Sequence, residues 1–192
     1  MILQHNLGRS KVASSELFHY MIQNHILAAT IQEPYLYANS IPCPSSFTVI
    51  SSNSTTQPIR AAIIVSNKAK TVHLQQYSSP DLCVCTIGFK NFKLTLASVY
   101  IPPARNSHRQ LVSISPYLNS LENIIQHNIR SSILVCGDFN SHHNHWFSDD
   151  DEIRQDLDNR GSETADFIAS NNLHILNNSN LPTFFAIRDR RI

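Results

Sequence analysis

Charge is scarce in this chain. Asp, Glu, Lys and Arg together make up 15% of its 192 residues, and the formal net charge is +1. That excludes an overall basic character, so any contact with nucleic acid has to come from local features. Long apolar runs are missing as well. No segment reaches the roughly 20 residues that a membrane helix needs, and the first residues lack the charged start and apolar core of a signal peptide. No membrane partner is expected. Cysteine is limited to Cys43, Cys83, Cys85 and Cys136. Their spacing fits no zinc motif. Cys83 and Cys85 alternate within an apolar stretch, so on a strand they share a face and are poorly placed to pair with each other. Four reduced thiols in an intracellular compartment are the expectation. Internal repeats and a clear linker are also absent, and the length predicts one domain over residues 1–192 with a substantial core.

What is present is concentrated in eight residues, ILVCGDFN, Ile133 to Asn140. A short unbroken apolar run predicts a strand buried on both faces. Gly137 allows a turn or a close backbone approach. Asp138 and Asn140 follow at alternate positions, and in an extended chain both side chains point to the same side. One is an ionised carboxylate at neutral pH and the other an amide that donates and accepts. That pairing at the mouth of a rigid sheet suits water attack on a phosphate ester. An Asp-x-Asn after a strand also has a purely structural reading, as a turn former bonded to its own backbone.

The rest of the chain punctuates clearly. Met1 to Leu7 predicts a short strand ending at Asn6, with Gly8 after it. Ser10 caps a helix whose apolar positions are Ala13, Leu17, Phe18, Met21 and Ile22, with His25 at its boundary. Ile26 to Gln32 predicts a second buried strand, and Pro34 puts Glu33 at its end. Residues 35–58 are mostly loop, with a possible strand at Phe47 to Ser51. Strands are predicted at Ile59–Val65, Thr71–Gln76, Leu82–Phe89 and Phe92–Ile101, the last two joined by a tight hairpin. Ser115-Pro116 opens a helix with a Leu118, Leu121, Ile125 stripe. The Asp149–Glu152 run reads as a solvated acidic loop, a helix follows over Arg160–Asn171, and short strands are predicted at Leu173–Leu176 and Thr183–Ile187. Arg188, Arg190 and Arg191 form a late basic cluster. The mixture of βα units and antiparallel strands predicts two packed sheets flanked by helices.

Five motifs in order carry a family resemblance. ILQHN (Ile2–Asn6), IQEPY (Ile31–Tyr35), SVYIPP (Ser98–Pro103), GDFN (Gly137–Asn140) and NRGSETADFIASNNLHILN (Asn159–Asn177) with PTF (Pro182–Phe184) resemble the endonuclease/exonuclease/phosphatase family. HHNHW, His142 to Trp146, resembles its branch of endonuclease domains from LINE-type (non-LTR) retrotransposons. The resemblance implies an α/β fold, a four-layer α/β sandwich of two packed mixed sheets flanked by helices. It implies a DNA endonuclease that nicks its target for reverse transcription, with Mg²⁺ (or Mn²⁺) as cofactor and fusion to a reverse transcriptase. Nuclear action follows from that role.

Phosphodiester hydrolysis needs neutralised phosphoryl oxygens and a water held in line. On that basis Glu33 is the expected metal ligand, with Asn6 helping to hold the metal or a ligating water. Asp138 is the expected general base, and Asn140 and Tyr100 donate to phosphate oxygens. Arg105, His142 and His143 are candidates for contact with the substrate, and Trp146 either stacks on a base or packs under its own loop. A zinc site at His142, His143 and His145 is the weaker alternative. The family pattern also includes a later strand bearing an Asp and a Ser-Asp-His motif, and no Ser-Asp-His occurs here. The expectation is a chain incomplete at its C-terminus, with its last strands missing and its activity reduced. A non-catalytic remnant that folds and binds nucleic acid remains open beside the nuclease, as does a phosphatase of the same fold.

Overall fold

In a computed structural model of the chain, described for residues 1–54, 56–104, 111–128, 132–146 and 159–177, eight strands form two mixed four-stranded sheets. The strands are β1 (Ile2–Asn6), β2 (Ala28–Gln32), β3 (Phe47–Ile50), β4 (Ala61–Ser66), β5 (Lys70–His73), β6 (Leu82–Gly88), β7 (Lys93–Tyr100) and β8 (Ser132–Asp138). Helices are α1 (Lys11–Gln23), α2 (Ser115–His127) and α3 (Arg160–Ser170). The first sheet has the order β1-β2-β4-β3 and the second β5-β6-β7-β8. In each, one edge pair is parallel, β1 with β2 and β7 with β8, and the other pairs are antiparallel. The chain divides into two compact units, Met1–Pro102 with Asn119–Phe139 and Pro103–Leu118 with Asn140–Ile192. Both sheets lie in the first unit.

Period-2 alternation builds two apolar layers there. Ala28, Ile63 and Val65 of the first sheet face Cys83, Cys85, Ile87 and Leu96 of the second in one buried cluster. The alternate residues Ala29, Ile31, Ala62 and Ile64 face the other way and pack on Leu17, Phe18 and Met21 of α1. β2 and β4 are therefore covered on both faces, which is why AATI and AAIIV read as continuous apolar runs. Gln32 and Ser98, buried between the sheets, are satisfied. Gln32 donates to the Ser98 hydroxyl at 2.9 Å, Ser98 donates to the Ile31 carbonyl at 3.1 Å, and Gln4 donates to the Gln32 carbonyl oxygen at 2.6 Å.

α1 begins as expected, with the Ser10 hydroxyl accepting from Ala13 N at 3.2 Å. It stops earlier than its apolar periodicity suggests. His25 takes φ 54°, its N–H bonds the Ile22 carbonyl, and Ile26 N bonds the Met21 carbonyl. That is a Schellman stop with histidine where glycine is usual. Ile22, still within the helix, and His25, beyond it, are both exposed and not in the core. α3 ends the same way, with Asn172 at φ 51° and Leu173 N on the Ile168 carbonyl. Leu173–Leu176 then continues without forming a strand, contrary to its sequence pattern.

Other expectations are adjusted locally. β5 ends at His73, and Gln75–Tyr77 is a short 3-10 turn. β8 is half-buried, with Leu134 and Cys136 against the inter-sheet cluster, and it is an edge strand among the described residues. In α2, Leu118, Leu121 and Ile124 are buried, while Ile125 is only half-buried. All four cysteines are free, and Cys83 and Cys85 share the inter-sheet face. None of the described helices is long and apolar enough to cross a membrane. The acidic run Asp149–Glu152, the predicted strand Thr183–Ile187, the PTF triplet and the cluster Arg188, Arg190 and Arg191 lie outside the described residues.

Candidate active site

Four strand ends meet at one end of the sandwich. Asn6 closes β1, Glu33 follows β2, Tyr100 closes β7 and Asp138 closes β8. The first two belong to one sheet and the last two to the other. The link between them is direct: the Asn6 side-chain amide donates to Asp138 Oδ2 at 2.8 Å, across 132 residues of sequence. The Asn6 carbonyl oxygen accepts from Gly8 N at 3.0 Å, which fixes which way the amide faces. The structure thus uses Asn6 to orient the Asp138 carboxylate.

Gly137 explains the residue before that carboxylate. It stands opposite Val99 in the parallel β7–β8 ladder, and a Cβ there would lie 2.0 Å from the Val99 carbonyl oxygen. The glycine serves close approach and not a turn, and Asp138 is still strand. Tyr100 stands opposite Asp138 in the same ladder. Its side chain is buried, and desolvation together with the Glu33 and Asp138 carboxylates raises its phenol above the ordinary value against the opposing charges of Arg60 and Arg9. The hydroxyl therefore stays a proton donor throughout the neutral range.

Two residues that sequence pattern did not single out hold this end together. Arg60 makes a bidentate pair with Asp81, and its guanidinium lies 5.4 Å from the centre of the Tyr100 ring. The backbone of the same pair reaches both sheets, since Glu33 N bonds the Arg60 carbonyl and Tyr100 N bonds the Asp81 carbonyl, each at 2.8 Å. Both residues stand just before an apolar run in a chain with few charges, the one signal they gave. Arg9, also not anticipated, pairs loosely with Glu33 at 3.5 Å on the surface.

Glu33 takes φ 44°, a left-handed conformation that is costly for a residue preceding proline. Such strain clusters at functional positions. Asn140 is at φ 45°, so the chain is no longer extended there and the alternation that would align it with Asp138 does not apply. Glu33, Asp138 and the Asn6 carbonyl are hard oxygen donors. They form no group of three or more acidic, His or Cys ligands among the described residues. One or two carboxylates with several waters is nonetheless what Mg²⁺ accepts, so this donor set fits it.

The family model for endonuclease-reverse transcriptase matches residues 94–190, half of the chain. The chain belongs to this family. No curated protein matches it. Among solved structures, the endonuclease domain of TRAS1, a telomere-specific non-LTR retrotransposon, is 26% identical with a TM-score of 0.80, over 98% of this chain and 78% of that one. An AP endonuclease from Archaeoglobus fulgidus is 12% identical with a TM-score of 0.57, over 88% of this chain and 69% of that one. The AP endonuclease LMAP from Leishmania major is 9% identical at 0.53, over 76% and 56%. The last two are likenesses of fold.

In this member of the endonuclease-reverse transcriptase family, the HHNHW segment belongs to the second unit. Asn144–Trp146 is a 3-10 turn, and His143 lies 4.4 Å from the His145 ring and 5.1 Å from Trp146, centre to centre. The Trp146 indole donates to the Ser141 carbonyl at 3.0 Å, so it packs under its own loop. His142 is exposed and His143 half-buried. Gly161 of α3 passes so close to the His142 carbonyl that a Cβ would lie 1.9 Å from it, and Ser141 bonds the Thr164 hydroxyl at 3.0 Å. Arg105 lies outside the described residues.

Proposed function

We propose that this chain is a metal-dependent endonuclease that hydrolyses a phosphodiester of target DNA, Mg²⁺ (or Mn²⁺) being the metal. In the full product it would act in the nucleus beside a fused reverse transcriptase, which extends from the nick. The observation that carries the reading is the Asn6–Asp138 bond, which joins an amide of one sheet to a carboxylate of the other, at strand ends beside Glu33 and Tyr100. Family membership and the likeness to the TRAS1 domain support the same reading.

Each group has a task that its surroundings favour. Glu33, at a strand end with its carboxylate partly open to water, would hold the metal, and the Asn6 carbonyl oxygen would assist. The bound metal would neutralise charge on the phosphoryl oxygens. Asp138, held by Asn6, would orient the attacking water and take its proton. Tyr100 would donate its phenolic proton to a non-bridging oxygen as negative charge builds there, and Asn140 would donate its amide in the same way. Arg105, His142 and His143 would contact the DNA.

Supercoiled-plasmid nicking with Mg²⁺ tests the proposal. Wild type is expected to nick, EDTA to stop it, and Asp138→Ala to lower the rate by roughly 10² to 10⁴ while leaving the fold intact. Nicking that survives Asp138→Ala would remove the assigned base. Turnover of soluble phosphate esters without plasmid cleavage would replace the nuclease by a phosphatase.

A further inference from the structure

The sandwich of the first unit is polarised along its strands. Glu33, Asp81 and Asp138 stand at the end just described. Among the described residues, the opposite end includes the α1–β2 turn, the β4–β5 turn, the β6–β7 hairpin and the starts of β1, β3 and β8. Lys70 pairs with Gly88, and Gly88 pairs with Lys93, so two lysines flank a bare glycine on one face of the second sheet. Paired positions lie one strand spacing apart, which puts the two lysine backbones about 10 Å from each other. Lys68 and Lys90 sit in the two turns beside them. All four are exposed, and they are four of the chain's five lysines. Residues 34–80 and 82–121 contain no Asp or Glu, so these elements bring no neutralising carboxylate, and the α1–β2 turn contributes Asn24 and His25.

The hairpin between these lysines carries two aromatic rings. Phe89 and Phe92 stack with centres 4.4 Å apart and planes 7° from parallel, and the Phe89 N–H bonds the Phe92 carbonyl at 2.8 Å. Phe89 packs against the inter-sheet core, while Phe92 is 54% exposed. One flat ring is therefore braced from behind and left open in front, with cations around it. An uncompensated basic end selects a polyanion, and an open aromatic face selects one that carries planar bases.

We propose that this end binds single-stranded nucleic acid, with a base on Phe92 and phosphates against Lys70, Lys90 and Lys93. β7 runs its full length between Lys93 and Tyr100, roughly 25 Å at the usual rise per residue. A strand held here is distinct from one at Asp138, and the inference does not depend on the nuclease reading.

Fluorescence anisotropy tests it, with labelled dT15 and U15 oligonucleotides, no Mg²⁺, and the whole chain carrying Asp138→Asn to prevent cutting. Both probes are expected to bind, because stacking on a ring tolerates any base. Lys70→Glu with Lys93→Glu should weaken binding at least ~10-fold and flatten the salt dependence by about 1.4 in log–log slope, two phosphate contacts' worth for a single strand. Phe92→Ala should weaken binding at least ~5-fold. All three positions are exposed, and circular-dichroism melting checks that the variants fold; the milder pair Lys68→Gln with Lys90→Gln serves if the charge reversal does not. The proposal is overturned if neither oligonucleotide binds or if the lysine variants bind as well as the parent. It is also overturned if Phe92→Ala changes nothing, or if phosphatidylserine vesicles bind with the same lysine and Phe92 dependence. The outcome is the same to read whether or not the chain nicks plasmid.

Discussion

Replacing Gly137 by alanine puts one methyl group where the fold has no room for it. The added Cβ would lie 2.0 Å from the Val99 carbonyl oxygen, 2.7 Å from its Cγ1 and 2.8 Å from its carbonyl carbon, where ordinary contact is 3.4–4 Å. Two of those three atoms are backbone, so no rotamer change relieves the overlap. Relief requires β7 and β8 to separate locally, which stretches the bond from Ile101 N to the Asp138 carbonyl, 2.8 Å in the native ladder. Forcing an extra carbon into a packed interior costs typically ~1–3 kcal/mol, and a clash against backbone belongs at the upper end. Two-state urea unfolding followed by far-ultraviolet circular dichroism measures the loss. At a slope of ~2 kcal/mol/M, 3 kcal/mol moves the midpoint down by ~1.5 M. Nicking should fall as well, by up to ~10²-fold, because Asp138 is the next residue and a misplacement near 1 Å has that effect. A midpoint within about 0.3 M of wild type would refute the reasoning, since the ladder would then open at no cost.

Asp81→Ala removes the partner of a guanidinium that is 27% exposed, so the loss should be ~1–3 kcal/mol, below that of a fully buried pair. Urea midpoints check it, and a change under about 0.3 M at the same slope would contradict it. His25→Gly should stabilise the protein by ~0.5–1 kcal/mol, because glycine carries no penalty at φ 54° and the side chain is exposed. The melting temperature should rise by about 1–4 °C, and a fall would show that the histidine does more than stop the helix. Alkaline pH should destabilise the fold. Burial raises the thiols of Cys83, Cys85 (to about 12) and Cys136, and the Tyr100 phenol is raised too. The folded chain keeps protons that the unfolded chain gives up above about pH 8.5, so stability is full below that pH and is lost as pH climbs toward the folded values. The urea midpoint should be flat from about pH 7 to 8 and fall from about pH 9 to 11, and a flat profile throughout would sink the argument.

The ends of strands were legible because the signals that end them are local. Pro34 stops β2 at Gln32 and leaves Glu33 outside the ladder, and Pro102 stops the run that places Tyr100. The GDFN motif marked Asp138, and ILQHN marked Asn6. Alternation also put Cys83 and Cys85 on one face, and that face is the inter-sheet one. Backbone conformation at single residues was not legible. Histidine at φ 54° after α1 and asparagine at φ 45° after β8 broke the periodicities that predicted a longer helix and an extended Asp-x-Asn. The Leu173–Leu176 run failed for the same reason, since apolar content does not distinguish a strand from the residues that follow a helix stop.

The amino-acid sequence by itself determined which residues end the strands, which faces are apolar and which family the motifs resemble, because each of these is carried by neighbours a few positions apart. Tertiary structure alone decided that β4 pairs beside β2, that Asn6 holds a carboxylate 132 residues away, and that Arg60 grips Asp81 beneath Tyr100. It also gathered four lysines from two separate turns and the strand starts beside them at the far end. Those are contacts between distant segments, and their partners are selected by packing two sheets face to face, a choice that no local periodicity encodes.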